Sequence, residues 1–580
     1  MTGTPRLRFA PLLCGTFLLL VYIQLSKIQP YQATAGIDFN HISADELRFW
    51  LAHWLLALPA LVLMALGFVE YLGPKLERLF STLDEIRPRR WTLLAVAYVV
   101  LLTLLAASGR SYFLLDLPLT DDENMVAFGA RMLLNGDLSV PILEPDGAFT
   151  QVVTYRHAGR VSSFDYPGAL LFHALSIASG LGSLLYALAG AVTGLAVAAT
   201  AGRFLGRSGA LIAACFWLCS PMSFTLAMTE HAQVPSRLFL ALTLWLYSRL
   251  VTDAGSPARD GMLIGLTGGL AFLTRSPEAA CCLLPIAAHL AWRLKEGDRA
   301  TRRAALAAAP VALALLLFYA WYNHNVTGIW YLPPRYGPER HQAAIPFGSP
   351  LWQLGSNLGH NLFIFIVMAL GPFGALAAAL GVRRSAPWLP LAIGMTLQVG
   401  LALLYDDTGI HTVGPIHFSE TLLGLTLLAT AGVIGLLHRL RELRINKAIP
   451  ATILLAYGVV ALGLFTYVHS LGLRRQARNA AMIHDVIAAS GITNALVIAD
   501  RPTRLILGHP DSRETGTWVH WLPPPDPYLE DEVIFVAERT DLEQLHQQFP
   551  NRDLFRLNYN FAEPPALLVA LAWDGSPLAQ

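Results

Sequence analysis

The chain has 580 residues, of which 54% are hydrophobic and only 14% are charged. Soluble domains carry about a quarter charged residues, so this composition excludes an ordinary soluble protein and indicates a membrane protein. The formal net charge of +1 gives no general attraction for nucleic acid, which is therefore not expected as a partner.

Thirteen apolar stretches approach the roughly 20 residues that a membrane-spanning helix needs. They cover residues 7–25, 50–69, 91–109, 183–202, 208–227, 234–250, 260–274, 278–293, 304–322, 358–381, 386–405, 415–437 and 449–469. The sequence therefore predicts an all-α polytopic membrane domain over residues 1–470, with about thirteen transmembrane helices.

Lysine and arginine are concentrated in alternate connections, which the positive-inside rule assigns to the cytoplasm together with the N-terminus. These connections are residues 75–90, 203–207, 293–303, 383–384 and 438–447. The loops between them, and everything after residue 470, are then predicted to lie outside. A further apolar segment, 166–181, cannot cross, because a crossing would put 203–207 outside. We therefore predict a juxtamembrane helix within an outer loop that covers residues 110–182.

After residue 470 the pattern changes to short β-rich runs at 495–500, 533–538 and 567–573, which alternate with helix-like polar stretches. This predicts a small extracytoplasmic α/β domain over residues 471–580. Neither GxxxxGK[ST] nor a GxGxxG between a strand and a helix occurs. These absences argue against an ATP-driven pump and against a nucleotide-sugar enzyme.

Three consecutive acids, Asp121, Asp122 and Glu123, follow an apolar stretch in the outer loop. Adjacent carboxylates repel each other, and they persist most easily when one is a base and another binds a cation or a hydroxylated ligand. The alternative is a solvated helix start, with Thr120 or Asp121 as the N-cap. The same loop offers Arg131 as a substrate-binding residue and Tyr166, before Pro167-Gly168, as a wall for a sugar or lipid headgroup.

Five motifs occur in a fixed order between about residues 90 and 440. They are DDENMVAFGAR, DYPGALLFHAL, CSPMSFTLAMTEHAQVPS, GLTGGLAFLTRSPEAACCLLP and YNHNVTGIWYLPPRYG. Together they resemble bacterial members of the GT-C superfamily of polytopic glycosyltransferases, relatives of protein mannosyltransferases and of lipid A aminoarabinose transferases. The residues after 470 resemble no family that we recognise.

The resemblance implies transfer of a sugar from a polyprenyl-phosphate carrier to an acceptor on the outer face of the membrane, usually with inversion. The acidic pair of that superfamily falls on Asp122 and Glu123. It makes Asp122 the catalytic base, which takes the proton of the attacking hydroxyl, or else a ligand to a divalent cation such as Mg²⁺ or Mn²⁺. No metal site is identified from the sequence itself.

The lipid phosphate needs a cationic seat near the membrane surface. Arg275 is the first candidate, because it interrupts an apolar run and its guanidinium suits phosphate. The alternative is an arginine that snorkels and pairs with Glu278. Arg335 and Arg340 are secondary candidates, with a solvated loop as their alternative.

Two later loops offer further polar residues. Glu230 and His231 lie where relatives often have a polar or acidic residue that assists the first acid, and helix capping is their alternative. In the loop before residue 420, Ile416 stands where relatives lead us to expect arginine. This departure weakens a phosphate-binding role for the loop, and we favour capping and packing for His417 and Glu420, with His417 kept as a substrate-binding candidate.

The preferred function is a membrane glycosyltransferase, a hexosyl- or pentosyltransferase, in a bacterial inner membrane. Its partners are a polyprenyl-phosphate sugar, membrane lipid and an acceptor that is a protein, a lipid or a polysaccharide. The alternatives are a flippase or transporter of lipid-linked saccharides, an oligosaccharide polymerase or ligase, and a non-catalytic envelope scaffold. A transporter should show internal repeats and charges near the midplane, whereas here the acids crowd an outer loop. Polymerases and ligases typically rely on basic residues in a large late loop.

Overall fold

The structure is a computed structural model, and its description extends over sixteen ranges. These are residues 7–28, 44–72, 74–75, 88–118, 120–142, 145, 148–149, 154–336, 351–383, 389–402, 410–411, 414–443, 448–499, 526–537, 540–558 and 567–578. Arg340 lies outside the described residues, as does most of the basic connection 75–90.

Helices make up nearly all of the membrane part. Their bounds are α1 Phe9–Ile28, α2 Ala44–Leu51, α3 Leu58–Gly67, α4 Pro88–Gly109, α5 Asp121–Leu134, α6 Pro167–Ala178, α7 Ser183–Cys219, α8 Pro221–Ala227, α9 Gln233–Val251, α10 Pro257–Thr274, α11 Ser276–Lys295, α12 Arg299–Thr327, α13 Leu351–Ala369, α14 Gly371–Val382, α15 Leu389–Ala402, α16 Thr421–Glu442, α17 Ala448–Gly458 and α18 Tyr467–Ser490. Short π-helical stretches, Ala52–Ala57, Arg110–Leu114 and Val459–Thr466, join α2 to α3, extend α4, and join α17 to α18.

Six helical segments of the described chain are long and apolar enough to cross a membrane. They are Leu47–Gly67, Arg90–Leu114, Ser183–Cys219, Arg299–Thr327, Thr421–Leu440 and Ile449–Arg475. A seventh span arises if the pair Asn361–Ala369 and Gly371–Val382, bent by 96°, counts as one. A helical membrane protein is thus confirmed, whereas the count of about thirteen spans stays a prediction.

The predicted connection 203–207 joins two antiparallel helices that together make up α7, since the Trp217 indole N–H donates a hydrogen bond to the Gly190 carbonyl at 3.3 Å. Gly206 has φ 72° and ψ −170°, a conformation that only glycine adopts readily, and the chain reverses there. Farther along the chain, α14 and α16 approach each other at Gly381 and Gly432. A side chain at either position would collide with the backbone of the other helix, at Leu428 or Ala377. Small residues therefore allow the close contact, as is common between membrane helices.

Residues 110–182, the predicted outer loop, include α5, a small sheet and α6. The sheet has the order β1-β3-β2, with β1 Val140–Pro141, β2 Thr154–His157 and β3 Arg160–Ser163, and all its pairs are antiparallel. Helix α6 packs against α5 and α10 and is mostly buried. Its 12 residues extend for about 18 Å, less than the roughly 30 Å of a hydrocarbon core. That this segment does not cross the membrane stays a prediction.

A short antiparallel pair, β4 Ile410–His411 and β5 Gly414–Pro415, precedes a mixed sheet near the C-terminus. The four strands of that C-terminal sheet are β6 Ala495–Ala499, β7 Val533–Ala537, β8 Asp553–Asn558 and β9 Leu567–Leu571, with helix α19 Leu542–Gln548 between β7 and β8. The order is β7-β6-β8-β9; β6 is parallel to both neighbours, and β8 is antiparallel to β9.

Three of these strands coincide with the predicted runs, and β8 was not predicted. Residue 470 lies within α18, so the predicted boundary falls inside a helix that continues from the membrane part to Ser490. That residues 471–580 form a separate domain stays a prediction.

Candidate functional site

Helix α5 begins at the acidic run and sends its two central acids in different directions. Thr120 is the N-cap: its backbone is extended, and its hydroxyl accepts a hydrogen bond from the backbone N–H of Glu123 at 3.4 Å. This agrees with the capping alternative for Thr120. Successive side chains of a helix point about 100° apart, so Asp122 and Glu123 meet different neighbours. The side chain of Asp121 lies outside the described part of the chain.

Glu123 is only 1% exposed and lies in what we call the Arg110 cluster, formed by Arg110, Glu123 and Glu230. Nη1 of Arg110 is 3.4 Å from Oε1 of Glu123, and Nη2 is 3.6 Å from Oε2 of Glu230. The backbone N–H of Glu230 also donates to Oε1 of Glu123, at 2.9 Å. Glu123 therefore connects the loop that contains Glu230 to α5.

His231 strengthens the same connection. Its Nε2 shares a hydrogen bond with the Thr120 hydroxyl at 2.9 Å, and its side chain is buried. Burial raises the pKa of Glu230 above its ordinary value, an effect that the nearby Arg110 opposes. One arginine thus faces two carboxylates, and Glu230 is the one that takes up a proton more readily than a free glutamate.

Asp122 belongs to a second group, the Arg335 cluster, which consists of Asp122, Asp165, Tyr166 and Arg335. Nη1 of Arg335 lies 3.7 Å from Oδ1 of Asp165, and its guanidinium covers the ring of Phe164 at 4.6 Å from the centroid. Burial lowers the pKa of Arg335, but Asp122 and, to a smaller extent, Tyr166, Tyr336 and Asp165 outweigh burial and raise it above the ordinary value. Arg335 is therefore held as a cation that interacts with Asp122.

Tyr166 is the N-cap residue of α6 and packs with Leu273 and Tyr319. It is buried in the structure and interacts electrostatically with Arg335. The aromatic wall predicted at this turn therefore stands beside the arginine and not in open solvent.

Arg275 joins α10 to α11 and is 3% exposed. It forms an ion pair with Glu278, and its Nε is 3.1 Å from Oε1 of Glu420. Oε2 of Glu420 accepts a hydrogen bond from the Ser419 hydroxyl at 2.7 Å. The pairing with Glu278 that was the alternative for Arg275 is thus observed.

The Arg275 and Arg335 groups lie next to each other. Glu278 interacts electrostatically with Arg275, His417 and Arg335, and His417 itself is buried. Five of the sequence candidates therefore interact within one region of the molecule: Asp122, Tyr166, Arg275, Arg335 and His417.

Arg131 lies away from this region, in the last turn of α5. Its Nη1 is 3.7 Å from Oδ2 of Asp531, and the two side chains are 39% and 45% exposed. In the part of the chain that the structure describes, no group of three or more His, Cys, Asp or Glu side chains is arranged to hold a metal ion. A role for a divalent cation stays a prediction.

Arg110, Asp165 and Arg237 are charged residues of this region that the sequence reasoning did not select. Arg110 ends an apolar stretch, and Arg237 interrupts the stretch 234–250. An arginine at the end of an apolar stretch or inside one is therefore the sequence feature that could have identified these two residues. Arg237 is 1% exposed, and its guanidinium has no hydrogen-bond partner among the described residues. It lies 5.5 Å from the ring of Trp217 and interacts electrostatically with Glu420.

Comparisons with known proteins agree with the motif resemblance. A family model described as dolichyl-phosphate-mannose-protein mannosyltransferase matches residues 170–322. The fold is similar to that of ArnT from Cupriavidus metallidurans bound to undecaprenyl phosphate, with a TM-score of 0.53 and 15% identity over 81% of this chain and 94% of that chain. It is also similar to the same protein in its apo state, with a TM-score of 0.53 and 13% identity over 81% and 93% of the two chains. The chain matches no curated protein significantly.

The resemblance to polytopic GT-C glycosyltransferases is therefore confirmed, and at these identities the likeness concerns the fold.

Proposed function

We propose that this protein is a membrane glycosyltransferase that moves a sugar from a polyprenyl-phosphate donor to an acceptor on the outer face of the membrane. The observation that carries the proposal is the placement of Asp122 beside Arg335, at the start of α5, in a fold similar to ArnT bound to undecaprenyl phosphate. A base and a phosphate-binding cation are the two groups that this chemistry needs close together.

The cation that contacts the phosphate is Arg335 in this proposal. Arg275 is held between two carboxylates, Glu278 and Glu420, which neutralise it. Arg335 lies 3.7 Å from Asp165 and interacts with Asp122, the proposed base, so a phosphate bound there would be next to that base. A phosphate offers a guanidinium two parallel charge-assisted hydrogen bonds, and so competes well with such a partner. In this proposal Arg275 does not contact the phosphate and stabilises the site through its ion pair with Glu278.

The reaction follows from these roles. The acceptor hydroxyl attacks the anomeric carbon of the donor sugar while Asp122 takes its proton. The bond between the anomeric carbon and the phosphate oxygen breaks, and its electron pair stays on the phosphate next to Arg335. Attack from the face opposite the leaving group inverts the anomeric carbon. In this proposal Tyr166 and His417 contact donor or acceptor, whereas Glu123 and Glu230 hold α5 through Arg110.

Flipping of lipid-linked saccharides is the second candidate function, and Arg237 is the observation that favours it. A charged residue inside a helix bundle is costly and is often part of a translocation path.

The glycosyltransferase proposal also includes a location. The Arg335 cluster lies on the outer face of a bacterial inner membrane, and the N-terminus lies in the cytoplasm.

The test uses purified protein in lipid nanodiscs, incubated with a panel of polyprenyl-phosphate sugars and with candidate protein, lipid and polysaccharide acceptors. Released polyprenyl phosphate is detected by mass spectrometry for the wild type, Asp122→Asn and the exposed control Asp253→Asn. We expect release by the wild type and the control, and a fall of about 10²–10⁴-fold for Asp122→Asn, since general base catalysis contributes about that much. Equal release by Asp122→Asn would refute its role as the base. Donor movement across the bilayer without release would favour the flippase.

A further inference from the structure

The C-terminal sheet is in direct contact with the loop that bears the acidic run. The Tyr528 hydroxyl donates a hydrogen bond to Oδ2 of Asp137 at 2.8 Å, three residues after α5 ends. The ion pair between Arg131 and Asp531 lies beside it, at 3.7 Å. Two polar contacts therefore join the C-terminal end of α5 to the segment that precedes β7.

Apolar side chains bracket α5 on the same sheet. Leu117, which precedes the helix, packs on the cluster that contains Val497 and Leu557. Ala148 and Phe149, which follow it, pack in the cluster of Leu496, Ile498, Leu529 and Leu545. The Phe149 and Phe549 rings meet edge to face, with centroids 6.0 Å apart. The chain thus enters the core of the C-terminal sheet both before and after α5.

Tyr528 also lies against the apolar face of α5. It packs on the cluster that contains Met125, Phe128 and Phe164. Met125 and Phe128 lie one and two turns after Asp122, and Phe164 is the ring that Arg335 covers. One tyrosine of the C-terminal segment therefore supports both the helix that bears the acid and the ring beneath the arginine.

We infer that the C-terminal sheet is a positioning element of the active site, and that Tyr528 is the positioning residue through which it fixes Asp122 relative to Arg335. This inference rests on the proposed function for the roles of those two residues. Displacements of about 1 Å in a supporting shell are enough to reduce catalysis strongly, so a helix clamped at both ends has a mechanistic value. A separately tethered domain that only selects acceptors would not need buried contacts on both sides of α5.

Burial and the charge of Asp137 both raise the pKa of the Tyr528 hydroxyl. Tyr528 therefore keeps its proton and remains a donor at neutral pH, so the contact is a constant support and not a pH switch.

Three variants test the inference in the full-length protein. Tyr528→Phe removes only the hydroxyl. Arg131→Glu places like charges opposite Asp531, and the double variant Arg131→Glu/Asp531→Arg restores an opposite pair. The matched control is the ion pair of Arg8 and Glu70, which is 3.6 Å long, similarly exposed and remote from the site. It is changed in the same way, as Arg8→Glu and Arg8→Glu/Glu70→Arg.

The measurements are kcat and KM for donor cleavage, the melting temperature, and hydrogen–deuterium exchange of peptides that cover residues 121–134. We expect Tyr528→Phe and Arg131→Glu to lower kcat about five-fold each, the effect of one typical polar contact. KM for the donor and the melting temperature should not change, and exchange in α5 should become faster. The double variant should recover kcat and slow exchange, whereas the Arg8 variants should change neither.

Unchanged kcat and unchanged exchange in both single variants would overturn the inference. So would a loss of melting temperature that accounts for the loss of activity. If Tyr528→Phe fails to fold, the charge reversal and its recovery still decide the question. Absence of donor cleavage by the wild type would refute the proposed function alone, because exchange in α5 reports positioning without any donor.

Discussion

Asp122 and Glu123 are neighbours in sequence, yet they belong to regions of different character. Glu123 is fully buried and is held by Arg110 and by the backbone of Glu230. Asp122 is partly exposed and lies with Arg335, Asp165 and Tyr166. The Arg110 cluster joins loops that are more than a hundred residues apart, whereas the Arg335 cluster brings a carboxylate and a cation to an accessible place.

The two clusters are therefore expected to have different roles: the Arg110 cluster stabilises the fold, and the Arg335 cluster takes part in the reaction. A buried carboxylate in an ion pair is costly to separate from its partner, which suits a structural role. A partly exposed carboxylate can be reached by a substrate, which suits a base. Substitutions in the Arg110 cluster should therefore affect folding first, and substitutions in the Arg335 cluster should affect transfer first.

The largest effect on stability is expected for Glu123→Ala. It leaves Arg110 buried with Glu230 as its remaining carboxylate partner among the described residues, and breaking a buried ion pair costs about 3 kcal/mol or more. The measurement is the melting temperature in nanodiscs together with the yield of folded protein. Asp122→Ala serves as the matched neighbour and should fold normally. A stable Glu123→Ala protein that has lost transfer would reverse the assignment of the two acids.

A smaller effect, on binding, is expected for Arg335→Lys. Lysine keeps the positive charge but loses the fork that forms two parallel hydrogen bonds with phosphate. We expect KM for the donor to rise about ten-fold, the equivalent of roughly 1.4 kcal/mol, with little loss of stability. Arg275→Lys is the comparison, and there the loss should appear in the melting temperature, because Arg275 bridges Glu278 and Glu420. The opposite result would make Arg275 the phosphate contact.

The sequence predicts the helices of this fold better than the contacts between them. Apolar length locates most helices, and the short segment before residue 181 forms a 12-residue helix. The basic run 203–207 correctly marks the connection between two helices, and the chain reverses there at Gly206. Strand β8 was missed because its sequence, DLFRLN, is neither continuously apolar nor strictly alternating.

The site candidates show the same division. Acids beside an apolar segment are visible in the sequence, and so are arginines within one. Which arginine meets which acid is set by tertiary packing, so the ion pair between Arg110 and Glu230 has no local signature. Arg131 was predicted to bind substrate, and the structure places it against Asp531, 400 residues away in sequence. Separations of this size are invisible to spacing arguments.

A still smaller effect on activity is expected for Arg237→Met. The guanidinium has no hydrogen-bond partner among the described residues, and Glu420 keeps Arg275 as a partner when Arg237 is removed. Replacing a buried charge by an apolar side chain of similar length is often neutral or stabilising, so the melting temperature should stay the same or rise. Donor cleavage should be retained. Loss of cleavage or of donor movement would instead place Arg237 on a path that the substrate follows, as a flippase requires.

The smallest effect concerns Glu230 and pH, and it tests how firmly the Arg110 cluster is closed. Because burial raises the pKa of Glu230, the folded state holds this proton more tightly than the unfolded state does. The resulting contribution to stability is fully present below the unfolded pKa and is lost as pH rises through the folded pKa. Wild type should therefore lose melting temperature relative to Glu230→Gln as pH rises above the ordinary pKa of glutamate, with the exposed Glu296→Gln as the control for loss of one charge. The opposite slope would mean that Arg110 outweighs burial at Glu230.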